Sequence, residues 1–231
     1  MEAAPCISQI ANLLAEPKRT AMLWALMDGS AKSCEELATL TGLSSASANA
    51  HLARLTGGGL LRTEARRGKR LFRVAATDVS AAIDALAVTT VASAVRCSPD
   101  VSPPALAAPQ PLRRARLCHG HLGGELAAGL YQRMVGCGWL ERGEQRTDIT
   151  LSGARHLARL GIFTQALASP LVCDCFDWSQ QQPHLGGALG AGLLQLFLQS
   201  GWINVINESR ALQVTEAGLA EINRLAAPAQ A

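Results

Sequence analysis

Two short stretches of the chain combine residue types that bind metals or carry out nucleophilic chemistry. CHGHLGG, residues 118–124, contains one thiol and two imidazoles, and CDCFDWSQQQPHLGG, residues 173–187, contains two thiols, two carboxylates and one imidazole. Thiolate sulfur and imidazole nitrogen are the ligands that tetrahedral zinc and other thiophilic ions prefer. The spacing matches no standard zinc module, but an S2N2 metal site can be assembled from Cys118, His121, Cys175 and His184.

An organic effector is a second interpretation of the same region. Trp139, Trp178 and Trp202 would form aromatic walls, and Asp177 with the histidines would orient the ligand. A third interpretation is purely structural, with Asp177 or Ser179 capping a helix and the histidines making buried hydrogen bonds. Thiol oxidation is compatible with each of these.

A catalytic interpretation belongs to a different class of protein. Cys175 would be the nucleophile, His121 or His184 its base, and Asp177 the group that orients the imidazole. The enzyme would then act on a thiol-reactive substrate. Because no oxyanion loop or recognisable signature accompanies these residues, we predict a protein that is not an enzyme.

The composition predicts a mostly helical protein of one large or two modest domains. Apolar residues make up 48% and charged residues 17% of the 231 residues, and the net charge is only +3. The N-terminus has no secretory signal, and no uninterrupted apolar run reaches the length of about 18 residues that a membrane span requires. We therefore expect a cytoplasmic protein without a membrane partner, whose seven cysteines remain reduced.

The first hundred residues predict a DNA-binding fold. Apolar positions recur at helical spacing, Ser33 and Glu36 form a capping box before CEELATLTG, and Ser44 begins SSASANAHLARL. A basic segment that alternates around Gly68 follows and predicts a β-hairpin. Helix, turn, helix and basic hairpin are the order of a winged helix-turn-helix, whose second helix enters the major groove.

Two sets of side chains would contact DNA. The exposed face of the second helix offers Ser44, Ser45, Ser47, His51 and Arg54. The hairpin, or wing, offers Arg62, Arg66, Arg67, Lys69 and Arg70, which would lie along the phosphates. Because the helix face has few long side chains, we expect phosphate contacts to dominate affinity.

The segment of residues 7 to 96 resembles the ArsR-type winged-helix repressors. The features that carry the resemblance are LAEPKRTAMLWAL, the GLS helix start, the HL pair and the basic wing. The resemblance implies a homodimer that binds an inverted-repeat operator in double-stranded DNA and releases it when an effector binds. It also implies that the closing helix, residues 77–95, packs against the partner chain. The cysteine pair of the family's metal sensors is reduced here to Cys34, and residues 77–96 contain no histidine, so metal sensing in this domain is not expected.

The rest of the chain is a linker followed by a duplication. Five prolines mark residues 97–112 as a semi-rigid linker between a first domain, residues 1–96, and a second, residues 113–231. HLGGELAAGLYQRMVGCGWL and HLGGALGAGLLQLFLQSGWI recur at one offset, within repeats of about 118–165 and 173–226 that we expect to be helical, winged-helix-like and related by a pseudo-two-fold axis. We expect the paired thiols and imidazoles at the N-termini of the repeated helices, where the helix dipole lowers thiol pKa values.

C-x-x-H-L and C-x-D-W-x5-H-L in these repeats resemble the second domain of an extended subgroup of the ArsR-type regulators. We therefore predict a mainly α protein, a dimeric DNA-binding transcriptional regulator and, from the resemblance, a repressor. Its affinity for DNA would be controlled at the second domain by a metal or metalloid, a redox signal or a small organic molecule. The alternative is the Cys/His-dependent enzyme, with the winged helix as an accessory.

Overall fold

The computed structural model describes residues 7–97, 109–143 and 146–227. Of residues 90–97 it describes the backbone alone. Most of the predicted linker, residues 98–108, lies outside these ranges. Its last residues begin a short helix, α6 (Gln110–Arg114).

The N-terminal half is a winged helix-turn-helix, as predicted. Its elements are α1 (Ile7–Leu14), α2 (Pro17–Leu26), β1 (Lys32–Ser33), α3 (Cys34–Thr41), α4 (Ser45–Gly57), β2 (Leu61–Arg66), β3 (Lys69–Val74) and α5 (Thr77–Cys97). The strands form an antiparallel sheet in the order β1-β3-β2. Strand β1, two residues long, was not predicted because so short a segment has no periodicity to detect.

Local sequence signals explain where these elements begin and turn. The Ser33 hydroxyl accepts a hydrogen bond from the backbone of Glu36, whose carboxylate accepts one from Ser33, so the predicted capping box is present. Ser44 caps α4 in the same manner. Arg67 and Gly68 both have positive φ, the backbone conformation of a two-residue hairpin turn, and they join the strands of the wing.

The C-terminal half contains two copies of one arrangement: hairpin, helix, hairpin, helix. The first copy comprises β4 (Arg116–Cys118), β5 (His121–Gly123), α7 (Glu125–Gly136), β6 (Leu140–Arg142), β7 (Thr147–Ile149) and α8 (Leu151–Arg159). A 3₁₀ turn, Thr164–Ala166, separates it from the second copy, which comprises β8 (Cys173–Asp177), β9 (Gln182–Gly186), α9 (Gly187–Gln199), β10 (Ile203–Val205), β11 (Leu212–Val214) and α10 (Glu216–Arg224).

The prediction that the thiols and imidazoles stand at helix N-termini is wrong. His121 lies in β5 and His184 in β9, and the helices begin only after these strands. The reason is the turn between Cys118 and His121, where His119 and Gly120 both have positive φ. Such a turn folds the chain into a hairpin, because its twist matches that of paired strands.

The two copies pack on one another so that the first helix of each copy contacts a strand of the other. Helix α7 contacts β9 of the second copy, and α9 contacts β5 of the first. The last helix of each copy is capped by a threonine at T-x-x-G: Thr150 accepts from the backbone of Gly153, and Thr215 from that of Gly218. The internal symmetry arises because the repeated sequence forms the same local structure twice.

Within the part of the chain that the structure describes, two apolar cores form, and one of them joins the halves. The first is built from α2 to α5 and the wing, around Leu26, Leu52 and Phe72, but it also includes Trp178 and Ala211 of the C-terminal half. The second is confined to the C-terminal copies. Among the described residues, no helix is both long and apolar enough to cross a membrane.

Candidate functional site

The thiols and imidazoles singled out in the two copies meet at one point. Cys118 is paired across the strands with His121 in the hairpin β4–β5, and Cys175 with His184 in the hairpin β8–β9. Directly opposed residues project from the same face of a hairpin, so each hairpin presents one thiol and one imidazole together. We call these four residues the Cys2His2 cluster.

The two hairpins bring their ligand atoms within reach of one another. The sulfur atoms of Cys118 and Cys175 are 3.8 Å apart, and the Nε2 atoms of His121 and His184 are 3.1 Å apart. One potential ligand atom from each of the four residues lies within 4.8 Å of all the others. The cysteines are not joined by a disulfide.

Three of the four cluster residues are buried. Cys118 and His184 are fully buried, His121 is 5% exposed, and Cys175 is half-buried. A nucleophilic thiol must reach a substrate, whereas ligands of a small ion need only reach one another. The burial of Cys118 and both histidines, including the two candidate bases, therefore suits ion binding or internal hydrogen bonding better than catalysis.

A glycine permits the close packing behind the cluster. A Cβ atom at Gly190, in α9, would lie 2.3 Å from the carbonyl oxygen of Leu185 and 3.2 Å from Cβ of His121. The first distance is shorter than any tolerated contact, so a side chain at this position would displace the hairpin that carries His184. The glycine therefore has a packing role next to the site.

The two thiols differ in acidity. The hydrogen bond to Cys175 and then burial raise the pKa of Cys118, although His121 and His184 act in the opposite direction. The same hydrogen bond lowers the pKa of Cys175, because a thiolate there would accept a hydrogen bond donated by the Cys118 thiol. The expectation that helix dipoles would acidify both thiols does not hold, because the pKa of Cys118 is raised and that of Cys175 is lowered by the Cys118 thiol.

Asp177 lies directly behind the cluster. Its carboxylate accepts a 2.6 Å hydrogen bond from the backbone of Gly124, forms a 3.0 Å ion pair with Arg116, and lies 3.9 Å from Nδ1 of His184. Burial alone would raise the pKa of Asp177, but Arg116, the Ser179 hydroxyl and the Gly124 amide together hold it below its ordinary value. Asp177 is thus a buried carboxylate that faces Nδ1 of His184, the ring nitrogen that does not contact His121.

A second buried carboxylate, Asp84, extends this network into the N-terminal half. Asp84 lies in α5 and is fully buried. It lies 3.3 Å from Nε of Arg116 and 3.0 Å from the guanidinium of Arg210, and it accepts a 2.6 Å hydrogen bond from the indole of Trp178. We call Asp84, Arg116, Asp177 and Arg210 the buried ion network. Two carboxylates and two guanidinium groups balance its charge, as burial requires.

Sequence reasoning missed Asp84, Arg116 and Arg210 as members of the site. The available signal was Asp84, a carboxylate within a largely apolar helix, where charged residues are rarely buried unless paired. Its partners lie far along the chain and have no spacing that marks them.

The predicted tryptophan walls do not converge. Trp178 is 3% exposed, its ring centroid lies 4.7 Å from that of Trp24 in α2, and the Arg116 guanidinium lies 4.3 Å over its ring. Trp139 stacks instead on His156, and Trp202 on Phe197. Trp139 and Trp202 follow the far ends of α7 and α9, and a helix of 12 residues such as α7 is about 18 Å long. A shared aromatic pocket at the cluster is therefore not formed.

The predicted DNA-contacting residues lie on the surface of α4 and the wing. Exposed positions include Ser44, Ser45, Ser47 and Arg54 at the helix, and Arg66, Arg67, Lys69 and Arg70 at the wing. His51 is half-buried, in contrast to the freely presented side chain expected from the helical wheel.

The base of the wing is in contact with the C-terminal half. Arg62 and Arg73 each form a 2.7 Å ion pair with Glu208, in the loop between β10 and β11. Beside this contact, Arg73 also donates to the Gly29 carbonyl, and the hydroxyl of Ser209 donates to the carbonyl of Asp28. Arg62, predicted to contact DNA, thus has a carboxylate partner within the chain.

Comparison with known proteins agrees with the N-terminal architecture. A family described as "Helix-turn-helix domain" (HTH_20) matches residues 14–64. Over 217 residues the chain is 30% identical to YdfF of Bacillus subtilis (strain 168), an uncharacterised HTH-type transcriptional regulator; the match covers 93% of this chain and 94% of YdfF.

Solved structures show more limited similarity. The homodimeric winged helix-turn-helix DNA-binding domain of Mb0332 from Mycobacterium bovis, a possible ArsR-family regulator, is 29% identical, with a TM-score of 0.34 over 39% of this chain and 81% of that one. HlyU from Vibrio cholerae N16961 is 25% identical, with a TM-score of 0.32 over 35% of this chain and 86% of that one. The similarity to YdfF, by contrast, extends over almost the whole of both chains, and on this basis the chain belongs to the HTH-type transcriptional regulators.

Proposed function

We propose that this regulator is an ArsR-type repressor that binds an inverted-repeat operator as a homodimer and is controlled by an effector at its C-terminal half. The observation that carries the proposal is the presentation of α4 and the wing, with exposed cations on both. Helix α4 enters the major groove, and the wing follows the phosphate backbone.

Affinity for DNA comes mainly from the wing. Arg66, Arg67, Lys69 and Arg70 are exposed around the hairpin turn, where they neutralise phosphates and release counterions. The exposed face of α4 carries short side chains such as Ser44 and Ser47, which contact few base edges. Recognition of the operator therefore depends on the geometry of two paired half-sites as much as on direct base contacts.

Dimerisation uses the first and last helices of the N-terminal half. No residue of α1 is buried within the chain, and Ile7 is 86% exposed. Leu86, on α5, is 53% exposed. A partner chain that covers these apolar side chains removes them from water and sets the distance between the two α4 helices.

The contact between the halves supports effector control. Asp84 in α5 is bonded to Trp178 and Arg116 of the C-terminal half, and Trp178 also packs on Trp24 in α2. A ligand that shifts the hairpin β8–β9 therefore also shifts the helix that positions the dimer. By linkage, the effector and the operator then alter each other's affinity by the same factor.

A selection from random duplexes followed by titration tests this function. The full chain is expected to enrich an inverted repeat and to bind it as a dimer, with an affinity that falls steeply with salt. The triple variant Arg66→Gln, Arg67→Gln, Lys69→Gln removes six cations from the dimer, so it should bind all duplexes more weakly and reduce the steepness of the salt dependence by up to about 5. The control variant Arg155→Gln, Arg159→Gln removes two exposed cations from α8 and should bind like the parent chain. Enrichment of no sequence, or equal losses in both variants, would refute the proposal.

A further inference from the structure

We infer that the Cys2His2 cluster holds one thiophilic divalent metal ion of the zinc class in a closed tetrahedral site, and that this ion is the effector. The second part of this inference rests on the proposed function, whereas the first stands on the geometry of the cluster alone.

The distances within the cluster fit a tetrahedral ion. Zinc binds thiolate sulfur at about 2.3 Å and imidazole nitrogen at about 2.0–2.1 Å. In a regular tetrahedron these bond lengths place two sulfur ligands about 3.8 Å apart and two nitrogen ligands about 3.3 Å apart. The observed separations are 3.8 Å between the sulfurs of Cys118 and Cys175 and 3.1 Å between the Nε2 atoms of His121 and His184. Little movement is needed to place an ion among the four atoms.

The polar groups of the site are arranged as a metal site requires. Nδ1 of His184 is buried, has no hydrogen-bond partner among the residues that the structure describes, and lies 3.9 Å from the carboxylate of Asp177. Histidines that bind a metal through one nitrogen commonly direct the other toward a carboxylate, which fixes the ring and raises its basicity. Asp177 is held for this role by Arg116 and by the amide of Gly124.

Charge balance favours a divalent ion in this buried position. Binding releases the two thiol protons of Cys118 and Cys175, and the two thiolates then neutralise the ion while both imidazoles stay neutral. The occupied site carries no net charge, so it avoids the large cost of burying an uncompensated charge. Four protein ligands also leave no open position for substrate, which is the arrangement of a structural or regulatory ion.

The ion is connected to the DNA-binding half through the buried ion network. Asp177 lies between His184 and Arg116, and Arg116 lies between Asp177 and Asp84 of α5. Both cluster residues of the second copy are in the hairpin β8–β9, whose turn begins with Trp178, and the ring of Trp178 enters the N-terminal core. Binding of an ion to the cluster therefore changes the positions of α2 and α5 relative to the C-terminal half.

Cobalt uptake by the full-length reduced chain tests the metal site directly. After chelator treatment, titration with Co²⁺ should give one ion per chain, with the intense ligand-field absorption of a tetrahedral site and thiolate-to-cobalt charge transfer. Zn²⁺ should displace the cobalt and abolish the spectrum. Cys118→Ser and Cys175→Ser should each lose about half of the charge-transfer intensity, because one of the two thiolates remains, and most of the affinity. Cys173→Ser, which changes the exposed cysteine in the same strand as Cys175, should leave both unchanged.

Several outcomes would overturn the inference. These are the absence of stoichiometric cobalt from the chelator-treated but still folded parent chain, an octahedral spectrum without thiolate bands, or an equal loss in Cys173→Ser. If a cysteine variant does not fold, His121→Gln provides the same test through a shift of the cobalt ligand-field bands. Removing the metal from the parent chain with a chelator and adding Co²⁺ again tests the site without any substitution.

A DNA titration separates the regulatory part from the site. With and without Zn²⁺, the affinity of the parent chain for its selected operator should differ by at least about fivefold, and Cys175→Ser should remove the difference. Cobalt binding without any change in operator affinity would refute the effector role. Cobalt binding by a chain that selects no DNA would refute the proposed function and leave the metal site in place.

Discussion

The indole nitrogen of Trp178 donates a 2.6 Å hydrogen bond to the carboxylate of Asp84, and this bond joins the two halves of the chain. Trp178 follows directly on the strand that carries Cys175, and Asp84 belongs to the closing helix of the winged helix-turn-helix. The same pair is surrounded by Arg116 and Arg210. A single buried contact is therefore shared by the candidate effector site and the DNA-binding fold.

Removing the charge of Asp84 should strongly destabilise the protein. Asp84→Asn retains an oxygen that accepts the Trp178 hydrogen bond, but it leaves two guanidinium groups facing a single remaining carboxylate in a buried position. We expect the free energy of unfolding to fall by about 3–5 kcal/mol, as measured by urea denaturation. Asp78→Asn, at the exposed start of the same helix, should change it by less than about 0.5 kcal/mol. Equal effects would show that the network does not stabilise the fold.

Removing the indole nitrogen should loosen the junction between the halves. Trp178→Phe keeps an aromatic ring against Trp24 but deletes the donor to Asp84, at an expected cost of about 1–3 kcal/mol. Hydrogen exchange of amides in α5 should become faster, because that helix loses its contact with the C-terminal half. In Trp202→Phe, where the ring stacks on Phe197 in the other core, α5 should exchange as in the parent. Unchanged exchange in Trp178→Phe would contradict this account.

Releasing the base of the wing should strengthen non-specific DNA binding. Glu208→Gln removes the carboxylate that pairs with Arg62 and Arg73, so two cations become available to phosphates. Because the dimer gains four such cations, the slope of log affinity against log salt should become steeper by about 2–4. Glu221→Gln removes another carboxylate that is paired with an arginine, Arg224 in α10, and should leave the slope unchanged. A slope that moves equally in both variants would reflect net charge alone.

The glycines of the two T-x-x-G motifs should tolerate no side chain. A Cβ atom would lie 2.0 Å from the Trp139 carbonyl oxygen at Gly153 and 2.1 Å from that of Trp202 at Gly218. Gly153→Ala and Gly218→Ala should each lower the free energy of unfolding by about 1–3 kcal/mol, measured by chemical denaturation. At Gly136, in α7, an added Cβ meets nothing within 4 Å, so Gly136→Ala should be neutral or stabilising by up to about 1 kcal/mol. A tolerant Gly153 would mean that α8 is free to move away from Trp139.

Much of the local structure was readable from contiguous residues. Ser33 with Glu36 specifies a helix start, and the basic segment around Gly68 specifies a hairpin, because the interacting groups are only a few positions apart. The duplication was visible because each copy repeats the same short segments, HLGG and T-x-x-G, within contiguous sequence. The helix prediction at His121 failed because a two-residue turn of His119 and Gly120 outweighed the apolar periodicity that follows it.

By itself, the sequence determined the winged helix-turn-helix, the repeated C-terminal unit, and the identity of four residues able to bind a metal. Only the tertiary structure decided that these four converge, that Trp139 and Trp202 stay away from them, and that Asp84 and Arg116 join the cluster to α5. The physical reason is separation along the chain. Arg116 and Asp177 lie 61 positions apart, and Arg210 and Asp84 lie 126 apart, so their contact depends on how the packed hairpins and helices are placed against each other.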